Sequence, residues 1–546
     1  MTIRHRISLP SALLVALLLC VVPGCIHNYP ATDPPIAHIP PRAPERTPAA
    51  GPDDGPAPPP PAREPFVVRL RYLATGDAQQ IIAAEGLVLT TPDQGLQRLP
   101  AGTWRIVHRA TGGAVLDYPV YVKGFAHNET RALAAERGHW QAQGYSPFVT
   151  TMGRAVTASD GTVYDGRSYW LGIKRCQSES EVEGLKRTLQ GQKVWAWSRE
   201  EVRVAPKGTV NFQDASGATV LSASLPLRVQ STGNIALQGA RNGKSAISVP
   251  GPLIMSFNRA GQLAIDGEMP LESYLEGILP AEMYPSWPLE ALKAQAVAAR
   301  SEVIVHAAGK HYFDGFDFCI EQHCRAFHGD EGRHERTDQA VRETADLVLI
   351  NGENAIVPTV FSANCGGWTE NNENVWDGAP SAALRGRSDR VGHRGQEVNQ
   401  AVASWISSNP AANCSHDTQY YRWTRSLPLG DLSKRLDSQY GIGSLQRVEE
   451  IERGVSGRLK AIRLVGSRKS EVVRKELNIR RTFDNLPSAL CTINVDGKSG
   501  TVHVRGAGRG HGVGLCQQGA CGMARANQSY DAILRHYFDG VKISRI

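Results

Sequence analysis

Four groups of residues in this chain have the types and spacing to do chemistry. Glu282 stands in Ala281-Glu282-Met283, in a short break between two stretches of helical periodicity. A carboxylate held there between packed walls, with Met283, Tyr284 and Trp287 beside it, would have a raised pKa and could act as a general acid. A solvated loop glutamate would look the same at this level. Further on, His311, Cys319, His323 and Cys324 fall within fourteen residues. Thiolate and imidazole suit tetrahedral Zn²⁺, and four protein ligands make a closed, structural site. A Cys319–Cys324 disulfide with two incidental histidines is the alternative in an exported protein. Then Asn364-Cys-Gly-Gly-Trp-Thr-Glu-Asn371 places two adjacent glycines among polar side chains, where backbone can approach a ligand closely. Last, Gly506 to Ala520 has glycine at every second position up to Gly514. That period fits a strand with one bare face, with Arg509, His511 and Val513 opposite.

The elements that must position Glu282 are two helices. Leu271, Tyr274, Leu275 and Ile278 recur at helical spacing, and Pro280 predicts an end at or before Leu279. Ser286 is a candidate N-cap, Pro288 suits a first turn, and Gly309 suits the far end. Between them Leu289, Leu292, Ala296, Ala299 and Val303 form one apolar stripe, and the many alanines predict close packing.

Upstream the chain changes character three times. Arg4, His5 and Arg6 precede an apolar run, Leu13 to Val22, which ends in Val-Pro-Gly-Cys25. This reads as an export signal, and small residues before a cysteine resemble a bacterial lipobox, which would make Cys25 the lipid-modified first residue of a membrane-anchored protein. Residues 26–65 hold fourteen of the 33 prolines and read as an extended tether reaching on the order of 100 Å. Residues 66–117 and 201–266 read as strand-rich. Between them, over 118–200, the order β-α-β-β-α-β resembles an SPOR-type domain, a fold whose members bind glycan strands of peptidoglycan. The expected fold class is α+β and multidomain, a strand-rich N-terminal region followed by a mixed α+β domain. Residues 384–415 read as an insertion or lid. The net charge of +7, without a dense basic block, favours anionic polymers and gives no stripe for nucleic acid. Setting aside Cys20, Cys25, Cys319 and Cys324, six cysteines remain, which allow fifteen full pairings; Cys365–Cys414 and Cys491–Cys521 are among them.

Leu271-Glu-Ser-Tyr-Leu-Glu-Gly-Ile-Leu-Pro-Ala-Glu-Met283, followed by Pro288-Leu-Glu-Ala-Leu-Lys-Ala-Gln-Ala-Val-Ala-Ala-Arg300, resembles the signature of the SpoIID/LytB family. The resemblance extends over roughly 267–546. It implies a peptidoglycan lytic transglycosylase that cleaves the MurNAc–GlcNAc bond without water and leaves 1,6-anhydro-MurNAc ends, with Glu282 on the family's acid position. Lys293, Gln295 and Arg300 are the matching polar positions of the second helix, and Arg300 could instead be a structural ion-pair partner. The family's run S-x-x-G-G-x-T-E is matched at Ser362, Gly366, Gly367, Thr369 and Glu370, where Ser362, Asn364 and Thr369 could bond sugar hydroxyls. Its final run, G-x-G-x-G-H-G-x-G-x-S-Q, is matched at His511 and Gln517, candidate substrate contacts, with a buried, hydrogen-bonded histidine as the alternative at His511, but Cys516 replaces the serine. The tyrosine common after the family's Val-Trp pair is absent beyond Val375-Trp376. The cysteine–histidine cluster resembles the zinc motif of some members. LytB-type members are amidase enhancers, so the resemblance also implies a second reading: a binding module that stimulates a cell-wall amidase.

Overall fold

The computed structural model describes residues 66–546 apart from 78, 127–128, 159–160, 166, 242–244, 308, 310, 312–313, 321–323, 325, 353, 377–379 and 391–401. The export signal, Cys25, the tether and His323 lie outside the described residues. The helices are α1 (Thr130–Ala142), α2 (Glu179–Gly191), α3 (Leu271–Glu282), α4 (Leu289–His306), α5 (Glu335–Glu343), α6 (Asn372–Val375), α7 (Val402–Ser408), α8 (Leu429–Tyr440), α9 (Glu476–Thr482), α10 (Gln517–Arg525) and α11 (Tyr530–Tyr537). With eight sheets beside them among the described residues, the fold is mixed α+β. No helix among the described residues is long and apolar enough to cross a membrane.

The two strand-rich stretches, expected as separate regions, interleave. One seven-stranded sheet takes Val67–Thr75, Leu87–Thr91 and Gly95–Leu99 from the first and Leu227–Gln230, Leu253–Phe257 and Leu263–Pro270 from the second. A six-stranded sheet mixes them again. Alternation marks each strand but carries no record of its partner, so long-range pairing is silent in the sequence. Residues 115–198 are inserted into this β unit. Their strands Val115–Ala126, Phe148–Met152, Ser168–Cys176 and Trp197–Ser198 carry α1 and α2 in the β-α-β-β-α-β order, with the last strand beside the first and the third beside the second. Val120, Leu171 and Ile173 pack with Trp140 of α1 and Val182 and Leu189 of α2.

The strand Leu263–Pro270 runs directly into α3 and pairs with Val67–Thr75 from Val67↔Pro270 to Thr75↔Leu263. One continuous core spans these strands, α3 and α4. α3 does not stop before Pro280; it runs through it to Glu282. The missing N–H falls in the last turn, which Met283 N–H closes on the Leu279 carbonyl at 3.0 Å, while Leu271, Tyr274, Leu275, Ile278 and Leu279 are buried. α4 begins at Leu289 after Pro288 without a side-chain cap from Ser286, and ends at His306. Its packing exceeds one stripe. Ala291, Ala294, Ala296, Ala298 and Ala299 are all fully buried, with Val297 and Arg300. Alanine is small enough for neighbours to close in on every side, and α3, α5, α10 and α11 do so. α4 is the axis of this half.

A second core lies under α8 and α9, against two three-stranded sheets. Phe361–Ser362 forms a short strand that pairs in parallel with Leu515–Cys516.

Candidate functional site

Glu282 ends α3 as a partly buried side chain. The parallel pairing of Phe361–Ser362 with Leu515–Cys516 sets the start of α10 opposite it. There Gln517 Nε2 lies 3.4 Å from Glu282 Oε2 and 3.4 Å from Gln295 Oε1 of α4. Gln517 thus meets two residues that lie more than two hundred positions before it in sequence. Gln295 is fully buried, and its Nε2 makes no hydrogen bond. A buried amide with an unused donor is costly and is uncommon away from function. Two residues beyond Glu282, Tyr284 is largely exposed, with its ring 5.6 Å from that of Trp287. This end of α3 therefore offers a carboxylate, an amide aimed at it, and aromatic surface.

The other candidates are placed differently. Lys293 is held by Glu290 at 3.0 Å and Glu343 at 2.6 Å. Arg300 is fully buried, forks onto Glu272 at 2.7 and 2.6 Å, and donates to the carbonyls of Leu347 and Val341. Both tie helices together, so the ion-pair reading of Arg300 describes its geometry. Asn364 is fully buried; its amide donates to Asp417 at 2.9 Å and its oxygen accepts from Gly366 N–H at 2.8 Å. Thr369 Oγ1 accepts from Arg387 N–H at 2.9 Å and is likewise buried. Ser362 Oγ accepts from Gly512 N–H at 3.2 Å. These three hydroxyl and amide groups hold the backbone, and Asn364 and Thr369 are closed off from a sugar.

The glycine-rich run is not a strand. Beyond Gly506 the chain alternates, with Gly508, Gly510, Gly512 and Gly514 at φ +79°, +95°, +78° and +69°. Period two marks positions needing positive φ, which glycine adopts without a Cβ clash. At Gly512 a Cβ would sit 2.2 Å from the Arg458 guanidinium carbon. His511 is tied into this loop: Nε2 donates to the Phe361 carbonyl at 3.0 Å and Nδ1 accepts from Val513 N–H at 3.0 Å. Burial, and then the Arg458 charge, push its pKa down to about 3. It is a neutral strut, with Trp376 against its ring at 4.8 Å.

Two residues on which this loop rests had no assigned role in the sequence. Glu370 is buried and accepts from the N–H groups of Asn371, Val455 and Ser456, from Asn374 Nδ2 and from Ser456 Oγ. Arg458, also buried, donates to the carbonyls of Trp368 and Cys365. Glu370 matched the family run without a stated role; nothing in the local sequence marks Arg458.

Beyond α4, His311 Nε2 lies 3.2 Å from Cys324 Sγ, and ligand atoms of His311, Cys319 and Cys324 all lie within 4.8 Å of one another. Phe316 stacks on the imidazole at 4.3 Å, and Asp314 Oδ2 faces Nδ1 at 3.2 Å, as an orienting carboxylate does for a ligating histidine. Two sulfurs and one nitrogen at this spacing fit zinc. A cleft of about 320 Å³ nearby is lined by Arg69, Arg154, Glu268 and Asp317, whose charges pair with one another as Arg69–Glu268 and Arg154–Asp317.

The lid expected over 384–415 is in part core. Asp389 and Cys414 are fully buried. Cys365 and Cys414 stand 3.6 Å apart, unbridged, and Cys491 lies in the second core, likewise unbridged, its thiol pushed up to about 12 by burial. The Cys365–Cys414 and Cys491–Cys521 pairings are therefore absent.

A mixed α+β chain with a carboxylate at the break between two signature helices defines a class, and comparison with known proteins assigns it. The profile of the SpoIID family, described as Stage II sporulation protein, matches residues 259–350, and that of a domain of unknown function matches 370–514. An uncharacterized protein of Brachyspira hyodysenteriae is 30% identical over 285 residues, which cover 52% of this chain and 68% of that protein. The amidase enhancer of Bacillus subtilis is 26% identical over 297 residues, covering 50% of this chain and 40% of that protein. Stage II sporulation protein D of Bacillus amyloliquefaciens is 25% identical over 292 residues, covering 50% of this chain and 74% of that protein. The chain belongs to the SpoIID family.

Proposed function

We propose that this chain is an exported cell-wall protein whose Glu282 cleaves peptidoglycan glycan strands by lytic transglycosylation. The family relationship supports a cell-wall-related role. The observation that carries the finer reading is the convergence of Glu282, Gln517 and Gln295 at the end of α3. Most glycosidases use two carboxylates, one for a water. A transglycosylase reuses one. Protonated Glu282 donates to the oxygen joining MurNAc to GlcNAc as its bond to C1 breaks. The carboxylate then takes the proton of the MurNAc C6 hydroxyl, whose oxygen closes on C1 as a 1,6-anhydro ring. No water is consumed. The Gln517 amide steadies the carboxylate, the buried Gln295 oxygen accepts from that amide in turn, and Tyr284 offers a face for a sugar ring.

Two accessory features go with this reading. His311, Cys319 and Cys324, with His323, would hold a structural zinc that ties the segment after α4 to the strand Val67–Thr75, where Cys319 pairs with Arg71. The inserted SPOR-like unit would bind glycan. Tyr121, Phe148, Trp170 and Trp197 pack ring against ring apart from its helix-side core, and the exposed Trp195 stacks on Trp197 at 4.9 Å. Lipid attachment at Cys25 would hold the protein at a membrane, with the tether giving it reach.

Purified chain incubated with peptide-stripped glycan should release anhydro-muropeptides seen by mass spectrometry. Products carrying an added water, or none, would remove the transglycosylase reading. The absent tyrosine after Trp376, together with the amidase enhancer relative, favours the second reading, a wall-binding enhancer. That reading expects no sugar release by the chain alone and faster peptide cleavage when a cell-wall amidase is added.

A further inference from the structure

We infer that Cys365, Cys414, Cys516 and Asp389 form a second, fully buried structural zinc site, separate from the cluster at His311. All four side chains have no exposed surface, and their ligand atoms lie within 4.8 Å of one another. Cys365 Sγ and Cys414 Sγ are 3.6 Å apart. A tetrahedron with Zn–S bonds of about 2.3 Å has edges of about 3.8 Å, whereas a disulfide brings its sulfurs to about 2.05 Å. Three thiols and one carboxylate make a closed set of the kind that selects zinc.

The surroundings are those of a ligand shell. Cys516 caps α10, and its sulfur accepts from Cys365 N–H at 3.1 Å and Gly519 N–H at 3.3 Å. Amides aimed at one sulfur suit a thiolate. Asp389 accepts from Tyr537 Oη at 2.7 Å, from Cys414 N–H at 3.1 Å and from Asn413 Nδ2 at 3.2 Å, donors that orient a carboxylate toward a metal. His536 Nε2 stands 3.6 Å from the same carboxylate and forms no hydrogen bond. At Gly519 a Cβ would lie 1.9 Å from Tyr537 Oη and 3.0 Å from both Asp389 oxygens, so the residue there must be glycine. A carboxylate and three thiols sealed from water need a cation to be stable as anions. On binding, the thiols lose their protons to solvent and the metal takes their place.

The site also accounts for the departure of Cys516 from the family's serine. Its four ligands come from four separate segments, the turn after Ser362, the segment at Asp389, the loop at Cys414 and the cap of α10, and the residue after Cys516 is Gln517. The zinc would thus fasten the wall that faces Glu282, although the proposal does not depend on what Glu282 does.

The full chain, purified without chelators, should carry two zinc ions per molecule by elemental mass spectrometry. Cys414→Ser and Cys516→Ser should each lose one and keep the other. Cys516→Ser restores the family's residue and is the variant least disturbing to packing. Cys324→Ser should lose the His311-site ion and keep one; in that background a chelator should still lower the melting temperature, and cobalt should give a thiolate charge-transfer band that Cys516→Ser weakens. Unchanged metal content in both Cys414→Ser and Cys516→Ser would overturn the site, as would a Cys365–Cys414 disulfide in a non-reducing peptide map. Failure of the His311 site alone is distinguishable, since it would leave one zinc that Cys324→Ser does not remove.

Discussion

Glu282 and Glu370 both lie in the signature runs of this chain, and the fold treats them in opposite ways. Glu370 is sealed, and five donors from two segments converge on its two oxygens. Its lone pairs are committed to holding the loop at Val455–Ser456 against the turn at Asn371. Glu282 is partly exposed at a helix end, with the Gln517 side-chain amide at 3.4 Å. A carboxylate saturated with donors is a fastener, because protonating it would strand those donors. A carboxylate at a helix end, beside an amide network that is itself incomplete, can exchange a proton with a substrate. Residue type does not separate the two roles; burial and position in the fold do.

The sharpest break between them is Glu282→Gln. Loss of the proton-transfer group should lower anhydro-sugar release by at least about a hundredfold, the lower range for general acid catalysis, with an unchanged melting curve. Turnover near that of the unmodified chain would end the comparison at once. Glu370→Gln should do the reverse. Its amide puts N–H against N–H where an oxygen accepted, costing about 2–4 kcal/mol of stability in a denaturant titration while turnover per folded molecule stays the same. An equally stable Glu370→Gln protein would show that its hydrogen bonds are not the fastener described.

Gln517 sharpens the comparison from the Glu282 side. In the transglycosylase reading it is a positioning residue, and Gln517→Leu should slow turnover about tenfold, or ~1.4 kcal/mol in the barrier. A structural role alone would lower the rate at every pH equally. Loss of an N–H donor to the carboxylate disfavours its charged form, so the alkaline limb of the pH–rate profile should also move up. An unmoved limb would confine Gln517 to packing.

How much of this was legible in the sequence depends on whether a feature is local. Glu282 is legible because the two helices that position it flank it directly. The spacing at α4 reveals a helix but not its depth, since alanine is compatible with one packed face or with all of them. The His311 cluster is legible because its ligands fall within fourteen residues. The cluster of Cys365, Asp389, Cys414 and Cys516 is not, because the chain distance between its members hides a contact that only tertiary structure makes; the one sequence signal is a cysteine at 516 where a serine was expected. The glycine period at 506–514 is legible as a pattern and misleading as a strand, because period two can mark either alternating faces or alternating signs of φ.

The smallest expected effect concerns His511, which the sequence placed among substrate contacts and the structure places in the fastened region with Glu370 and Arg458. Its folded pKa is pushed down to about 3, by burial first and then by the Arg458 charge, from an ordinary value of 6.5. Unfolded chain therefore binds this proton below pH 6.5 while folded chain refuses it. The sign follows: the contribution to stability is fully present above about pH 6.5 and is lost as pH falls toward 3. His511→Gln keeps a donor for the Phe361 carbonyl and removes the titration. Melting temperatures from pH 7 down to 4 should fall less steeply in the variant than in the unmodified chain. Parallel slopes would mean that the imidazole is solvated and titrates freely, which would return His511 to the open side of the comparison, as a group available to substrate.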